Sequence, residues 1–216
     1  MIEIKDIIPI TISIVALFVS IISIYVSRFR PGKLYLTAGE HIHISHDPTG
    51  SVKFILPMNV ANSGSRHLTI DRVALLIQDR GNPEGYLLEP AFYLALAESG
   101  DFKYDSLSVP ITIFGGENIT KQVMFNSSIE RPTEFQMTKA GTYDLTLLAW
   151  LHGSTKPQKS EFFSVVVSEE HIVNLRRYIE EKKSSSVKLR QSKWRAWDAH
   201  PCKETEVKDI NKSAIL

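Results

Sequence analysis

The chain has 216 residues, which is room for a membrane segment, one domain of ordinary size and a tail, and leaves little for two independent cores. Its 25 Lys and Arg nearly balance its 24 Asp and Glu, so no overall charge favours nucleic acid as a partner. A single cysteine, Cys202, excludes an intrachain disulfide and a zinc site built from several cysteines.

The first predicted element is a transmembrane anchor over residues 1–30. Residues 7–26 carry no charge, and 20 helical residues span about 30 Å, the thickness of the hydrocarbon layer. A cleaved secretory signal is the alternative, but it has a positive amino-terminal region, a shorter apolar stretch and an A-x-A-like site. Here Glu3 and Asp6 offset Lys5, and no such site follows. The sequence therefore favours an uncleaved anchor in the lipid bilayer.

The charges on either side of the apolar run predict its orientation. Arg28, Arg30 and Lys33 follow the run, whereas Lys5 and the amino terminus precede it. Because Lys and Arg collect on the cytoplasmic side, we expect a single-pass protein with its N-terminus outside and its domain in the cytoplasm. The reverse orientation would make the domain an exterior-facing sensor or adhesin.

Small residues recur along one face of this helix. Their intervals of 3, 4, 3 and 4 residues form a heptad pattern, in which helix backbones approach closely and hydroxyl groups hydrogen-bond across the interface. The alternative is that each serine bonds the preceding turn of its own helix and faces lipid. The pattern predicts a homo-oligomer, or packing of a partner helix, through Ser13, Ala16, Ser20, Ser23 and Ser27.

The predicted domain covers residues 31–168. Pro31 and Gly32 end the helix and leave almost no linker. Apolar and polar residues then alternate with period two in seven or eight short segments separated by Gly, Pro, Asn and Asp. Because no βαβ alternation is present, we predict a mainly β fold: an antiparallel immunoglobulin-like β-sandwich behind the transmembrane helix.

Prolines modify the strand pattern at three places. Pro90 and Gly100 are expected to begin and end a short helix. Pro57 and Pro110 fall on outward-facing positions, which predicts edge strands that pair no further.

Three short motifs follow one another in about the first third of the chain. The anchor is followed by an S-x-x-R-P-like junction, which ends here at Arg30-Pro31 with one extra residue. An N-x-G turn at Asn62 and Gly64 then precedes a TI-x-x-V strand over residues 69–73. In these motifs the chain resembles uncharacterised single-span bacterial membrane proteins. The resemblance implies a bacterial β-sandwich anchored in the inner membrane, and it implies no activity.

A pair of histidines is the candidate metal site. His41 and His43 share one face of a predicted strand, and an H-x-H pair offers two imidazoles to zinc. A third ligand would come from His67, His152 or a carboxylate, and the alternative is a polar strand that faces solvent. The chain has no G-x-S-x-G elbow, phosphate-binding glycine loop or H-E-x-x-H motif, so neither a catalytic residue nor a cofactor is predicted.

The last part of the chain is predicted as an amphipathic helix over residues 169–183, capped by Ser168, and a basic, disordered tail over residues 184–216. Cations beside interfacial tryptophans bind anionic leaflets, and the same cations attract phosphates of RNA, although nucleic acid is not the expected partner. The predicted membrane-surface or phosphate contacts are Lys188, Arg190, Lys193, Trp194, Arg195 and Trp197.

These features predict a membrane-anchored, non-enzymatic interaction module. It would recruit or organise a protein partner at the cytoplasmic face of the membrane, with edge strands and loops making the contacts. The alternative from another class is a metal-dependent membrane-bound enzyme that uses the strand face of His41 and His43.

Overall fold

The computed structural model describes residues 4–46, 52–80, 85–97, 102–108, 110–126, 137–181 and 185–192. Helix α1 (Ile4–Ile24) continues into one π-helical turn (Tyr25–Phe29), and helix α2 comprises Glu169–Glu180. The strands are β1 (Leu34–Ala38), β2 (His41–His46), β3 (Val52–Asn62), β4 (Leu68–Asp79), β5 (Gly85–Leu96), β6 (Phe102–Leu107), β7 (Ile111–Ile113), β8 (Asn118–Asn126), β9 (Gly141–Leu151), β10 (Lys159–Val167) and β11 (Ser185–Ser192).

Eight of these strands form a closed, barrel-like sheet. The ring runs β5, β8, β3, β2, β11, β10, β9 and β4, and β4 pairs with β5 again. Each pairing is antiparallel, and β1, β6 and β7 add to β3, β5 and β4. The prediction of a mainly β fold behind an N-terminal apolar helix is confirmed. The sheet, however, is a closed barrel rather than clearly an immunoglobulin-like sandwich.

Two strands close the ring because each changes partner along its length. Residues 85–88 of β5 pair with β4, and from Glu89 onward β5 pairs with β8. Residues 185–190 of β11 pair with β2, whereas Gln191 and Ser192 pair with β10. Strands that pass from one layer to the other in this way make the corners of a sheet that folds over on itself.

The predicted helix between Pro90 and Gly100 is wrong, because Gly85–Leu96 forms β5. The register of β5 against β8 shifts between Pro90 and Phe92. A bulge of this kind accommodates a proline that has no N–H to donate to the ladder. Proline therefore marks an irregularity within a strand here, and not the first turn of a helix.

The prediction that Pro57 marks an edge strand is also wrong. β3 lies inside the sheet, paired with β8 on one side and with β1 and β2 on the other. Pro57 stands opposite the bend between β1 and β2, where its carbonyl accepts the N–H of Gly39 at 2.7 Å. No donor is required of Pro57 at this bend. Pro110, in contrast, directly precedes β7, which stands at the end of the sheet order.

The core fills the inside of the ring with the inward side chains of the strands. Helix α2 covers part of it and buries Ile172 and Leu175. The hydroxyl of Ser168 accepts the N–H of His171 at 3.3 Å, and the N–H of Ser168 donates to Nδ1 of His171 at 3.2 Å, which caps the helix reciprocally. The largest fully buried side chains are Phe54, Phe125, Phe163, Ile42, Ile44, Leu56, Met58, Ile70, Leu75, Ile77, Leu88 and Ile113.

The expectation of a disordered tail from residue 184 needs correction over β11. Ser185–Ser192 is a strand with partners on both sides. Its Leu189 and Gln191 are buried and its Lys188 and Arg190 are exposed, which is the alternation of a strand with one face on the core. Burial of alternate residues therefore stabilises a strand here despite the local positive charge.

Candidate functional site

Helix α1 and the π-helical turn expose apolar side chains in every direction. The stretch Ile8–Phe29 is long and apolar enough to cross a membrane, by length and composition, and is the one such helix among the described residues. Its large apolar side chains, such as Leu17 and Phe18, are 60% exposed. A helix that is apolar all round fits a membrane environment better than water.

The serines of the small-residue face bond within their own helix. The hydroxyl of Ser13 donates to the carbonyl of Pro9 at 2.8 Å, and that of Ser20 donates to Ala16 at the same distance. Ser27 donates to Ile24 at 3.2 Å. These three hydroxyl protons are therefore engaged without a second helix. Packing of another helix on this face, which includes Ser23, stays a prediction that rests on the size of the side chains alone.

Asn62 joins the end of the apolar N-terminal helix to the sheet. It is 1% exposed, and its Oδ1 accepts the N–H of Lys33 at 3.2 Å and of Gly64 at 3.0 Å. Its Nδ2 donates to the carbonyl of Arg66 at 2.7 Å and of Ile113 at 3.3 Å. One buried amide thus ties together the chain that leaves the helix, the turn after β3 and the end of β7. Sequence reasoning placed Asn62 in a turn and missed this role.

The turn that follows Asn62 reaches back to the helix itself. The hydroxyl of Ser65 donates to the carbonyl of Val26 at 2.7 Å, and the N–H of Ser65 donates to the carbonyl of Arg30 at 3.0 Å. A Cβ on Gly64 would overlap the carbonyl oxygen of Pro31. The R-P junction and the N-x-G turn are therefore two sides of one contact, and we call residues 26–33 and 62–66 the junction.

A second turn packs against the junction and presents an aromatic ring. A Cβ on Gly115 would overlap the backbone of Ser65, so this glycine permits close contact between the two turns. Glu117 accepts the N–H of Phe114 with its carboxylate at 2.7 Å. The ring of Phe114 is nevertheless 64% exposed. The F-G-G sequence was the available signal for this exposed aromatic residue.

Cations surround the same end of the sheet. The side chains of Arg28, Arg30, Lys33 and Arg66 are all exposed. The ammonium group of Lys33 lies 5.3 Å from the ring centroid of Tyr35, and its hydrogen bond lowers the pKa of that tyrosine. The junction thus combines the end of an apolar helix with concentrated positive charge.

The two predicted metal ligands lie together on the outer face of β2. The ring of His43 lies 4.9 Å from that of Phe102 in an edge-to-face contact. Burial, together with the charges of Lys188 and His41, lowers the pKa of His43. Lys188 pairs with His43 and Arg190 with His41, and cations at these positions oppose the binding of a divalent metal. No group of three His, Cys, Asp or Glu that would hold a metal occurs in the described part of the chain.

The predicted membrane-surface residues that the structure describes lie away from the junction. Lys188 and Arg190 belong to β11, and Arg190 approaches Glu40 at 3.3 Å. At about 3.3 Å per residue, the path from Leu34 to His41, which pairs with Arg190, is on the order of 20 Å. Contact with the membrane near the junction is therefore not supported for these two residues. The remaining predicted contacts lie outside the described residues: Lys193, Trp194, Arg195 and Trp197.

The sheet opens at one place along β4. β7 pairs with residues 68–70 of β4 and β5 pairs with residues 75–78, and a cavity of about 290 Å³ lies between them. Arg72 contacts Glu89 at 2.7 Å and lies 4.9 Å from the ring centroid of Trp150, while its Nε is buried without a hydrogen-bond partner. Burial raises the pKa of Tyr93 at the same cavity. Because Arg72 already pairs with Glu89, the charges that line the cavity do not favour a ligand of one particular charge.

Strand β6 offers an open sheet edge. It ends the sheet order and, among the described residues, pairs with β5 alone. Leu96 of β5 and Tyr104 and Leu107 of β6 are 62%, 61% and 59% exposed. The ring of Tyr104 packs edge-to-face on Phe92 with centroids 5.5 Å apart. An apolar edge of this kind accepts a further strand through its unpaired backbone groups.

The chain matches no protein-family model and no curated protein sequence. Among solved structures it is similar to the "Putative ApaA Protein" from Bordetella pertussis, with 12% identity, a TM-score of 0.31 and coverage of 74% of this chain and 95% of that one. It is also similar to an uncharacterized β-sandwich protein from Clostridium difficile 630, with 14% identity, a TM-score of 0.31 and coverage of 59% of this chain and 86% of that one.

Proposed function

We propose that the protein is a single-pass, membrane-anchored interaction module. Its apolar helix would cross a bacterial inner membrane, and its barrel would hold a protein partner at the cytoplasmic face. The cations that follow the apolar run support this orientation, because Lys and Arg are retained on the cytoplasmic side. The short junction supports anchoring, since it leaves the barrel no long linker on which to move away from the bilayer.

The observation that carries the proposal is the open edge of β6. Proteins normally protect such an edge with charges, bulges or a covering segment. β6 carries the charges of Lys103 and Asp105 and a register shift against β5, but Tyr104 and Leu107 still stand exposed beside it. Asp105 is already paired with Lys121 of β8 at 3.0 Å, so the exposed Lys103 is the charge that would help to fix the register of an incoming strand. An extended segment of a partner protein would add to β6 through main-chain hydrogen bonds and cover the apolar side chains.

Photocrosslinking in cells tests this docking edge. Tyr104 is replaced by benzoylphenylalanine, and Val173 of α2, which is also 61% exposed, provides the matched control position. We expect one crosslinked protein from position 104, none from position 173, and loss of the product when Leu107→Asp places a charge on the apolar edge. Equal labelling from both positions, or a product that survives Leu107→Asp, would refute docking at β6.

Orientation is tested separately with reporters fused after the last residue. A fluorescent protein that folds in the cytoplasm should be active there, and an alkaline phosphatase that requires export should be inactive. The opposite pattern would place the barrel outside and replace the proposed function by an exterior-facing one.

A further inference from the structure

We propose that the end of the barrel next to the junction rests on the bilayer surface, with Phe114 inserted among the lipid headgroups and the surrounding cations on anionic lipids. This inference rests on the membrane anchor of the proposed function. It adds a second lipid contact, made by the barrel itself. The partner surface is an anionic leaflet, such as one that contains phosphatidylglycerol.

The depth of this end follows from a hydrogen bond to the helix. The hydroxyl of Ser65 bonds the carbonyl of Val26, which lies three residues before the apolar stretch ends at Phe29. At 1.5 Å per residue, that carbonyl is about 5 Å from the end of the stretch along the helix axis. When the stretch fills the hydrocarbon layer, Ser65 therefore lies within about 5 Å of the boundary between the hydrocarbon and the headgroups.

Phe114 is held at the same level by its turn. Gly115 abuts the backbone of Ser65, and the N–H of Gly116 donates to the carbonyl of Asn62 at 2.8 Å. Gly116 has φ of +77°, which an L side chain rarely adopts, so the reversal is specific to glycine. The N–H of Glu117 also donates to the carbonyl of Phe114 at 3.1 Å. These contacts fix the turn and leave its aromatic ring pointing away from the core.

Several other side chains at this level are those expected at a membrane interface, although the carboxylate of Glu117 lies in the same turn. Tyr25 and Phe29 stack on the helix with ring centroids 6.4 Å apart, and Phe114 adds a third aromatic residue. Aromatic rings concentrate at headgroup depth, where both their apolar faces and their polar edges are accommodated. Exposed cations at the same end attract anionic lipids: Arg28, Arg30, Lys33 and Arg66.

The test measures depth in lipid nanodiscs with the full chain. Cys202→Ser removes the only cysteine, so single cysteines carry an environment-sensitive fluorophore at position 114, at position 17 within the helix, or at position 173 as a control. Quenching by nitroxide-labelled lipids reports contact with the bilayer. We expect blue-shifted, strongly quenched emission at 17 and 114, no quenching at 173, and stronger quenching at 114 when phosphatidylglycerol is added to phosphatidylcholine.

The outcomes separate this inference from the anchor on which it rests. If position 17 is not quenched, the anchor fails and the proposed function fails with it. If position 17 is quenched but position 114 is not, the anchor stands and surface contact by the barrel is refuted. Equal quenching at 114 with and without phosphatidylglycerol would refute the role of the cations.

A label at a second position tests the contribution of the Phe114 ring itself. His67 is exposed beside Arg66, so a label on His67→Cys reports the same surface while Phe114 is still present. We expect Phe114→Ser to reduce quenching of that label several-fold in phosphatidylglycerol-containing nanodiscs, since loss of an interfacial ring weakens the surface contact. Quenching that does not change would refute insertion of Phe114. Because Phe114 is 64% exposed, the substitution leaves the core intact.

Discussion

Replacement of Asn62 by alanine should loosen the connection between helix and barrel and destabilise the whole domain. The side chain is 1% exposed and makes four hydrogen bonds, to Lys33, Gly64, Arg66 and Ile113. A hydrogen bond contributes about 1 kcal/mol net, and partners left buried and unsatisfied raise that cost. We therefore expect Asn62→Ala to lower the free energy of unfolding by about 3–5 kcal/mol.

The measurement is a urea titration of the full chain in detergent micelles, followed by tryptophan fluorescence. Asn59→Ala provides the control, because Asn59 is the same residue type on the same strand, is exposed, and accepts a hydrogen bond from Thr120. We expect the control to cost about 1 kcal/mol or less. The slopes of the two titrations should agree, since both variants unfold the same surface.

The result that would refute the reasoning is a loss for Asn62→Ala no larger than that for Asn59→Ala. Such a result would mean that water replaces the amide at all four partners, and the junction would then depend on packing alone. A loss of the expected size that leaves protease resistance of residues 26–33 unchanged would place the effect in the barrel. It would remove the claim that Asn62 holds the helix.

Three further predictions concern packing, charge and pH. Gly64→Ala should cost about 1–3 kcal/mol in urea titrations because a Cβ overlaps the Pro31 carbonyl, whereas Gly141→Ala, with open space around it, should stay within about 0.5 kcal/mol. Asp144→Asn should cost about 1–2 kcal/mol, since Asp144 bonds Arg80 through two nitrogens at 2.9–3.1 Å, and a double-mutant cycle with Arg80→Ala should show coupling. The pKa of His43 is lower in the folded protein than in the unfolded chain, so the unfolded chain binds the proton more readily. The free energy of unfolding should therefore fall as pH decreases below about 6.5 towards the folded pKa, and His43→Gln should flatten that decline in urea titrations at several pH values.

Local pattern was sufficient for most strands and insufficient where a strand changes neighbour. Period-two alternation identified β2 and β3, because alternate side chains of each strand lie in the core. β5 was mistaken for a helix at Pro90, because a bulge against β8 and a switch of partner leave no regular period. Alternation of apolar and charged residues was also present in β11, but the six cations in and around this strand favoured the prediction of a disordered tail.

The junction depended on contacts that no local window contains. Sequence reasoning recognised the R-P end of the helix and the N-x-G turn as separate motifs of a resemblance. Their contact requires Asn62 to meet Lys33 and Ile113, which lie 29 and 51 positions away. The paired histidines were the reverse case: the alternation correctly put His41 and His43 on one face, but the charges beside them come from β11, far along the chain.

Because β11 closes the ring, the barrel can be completed only after β11 has been synthesised. β2 is among the first strands synthesised, yet its second neighbour is almost the last, and Arg190 approaches Glu40 across 150 positions of sequence. Contacts so distant in sequence form slowly, because the intervening chain must first be confined. The apolar helix therefore leaves the ribosome long before the barrel can close. Until β11 arrives, β2 and β10 each lack a neighbour, so a chain truncated before residue 185 would expose two sheet edges and tend to aggregate.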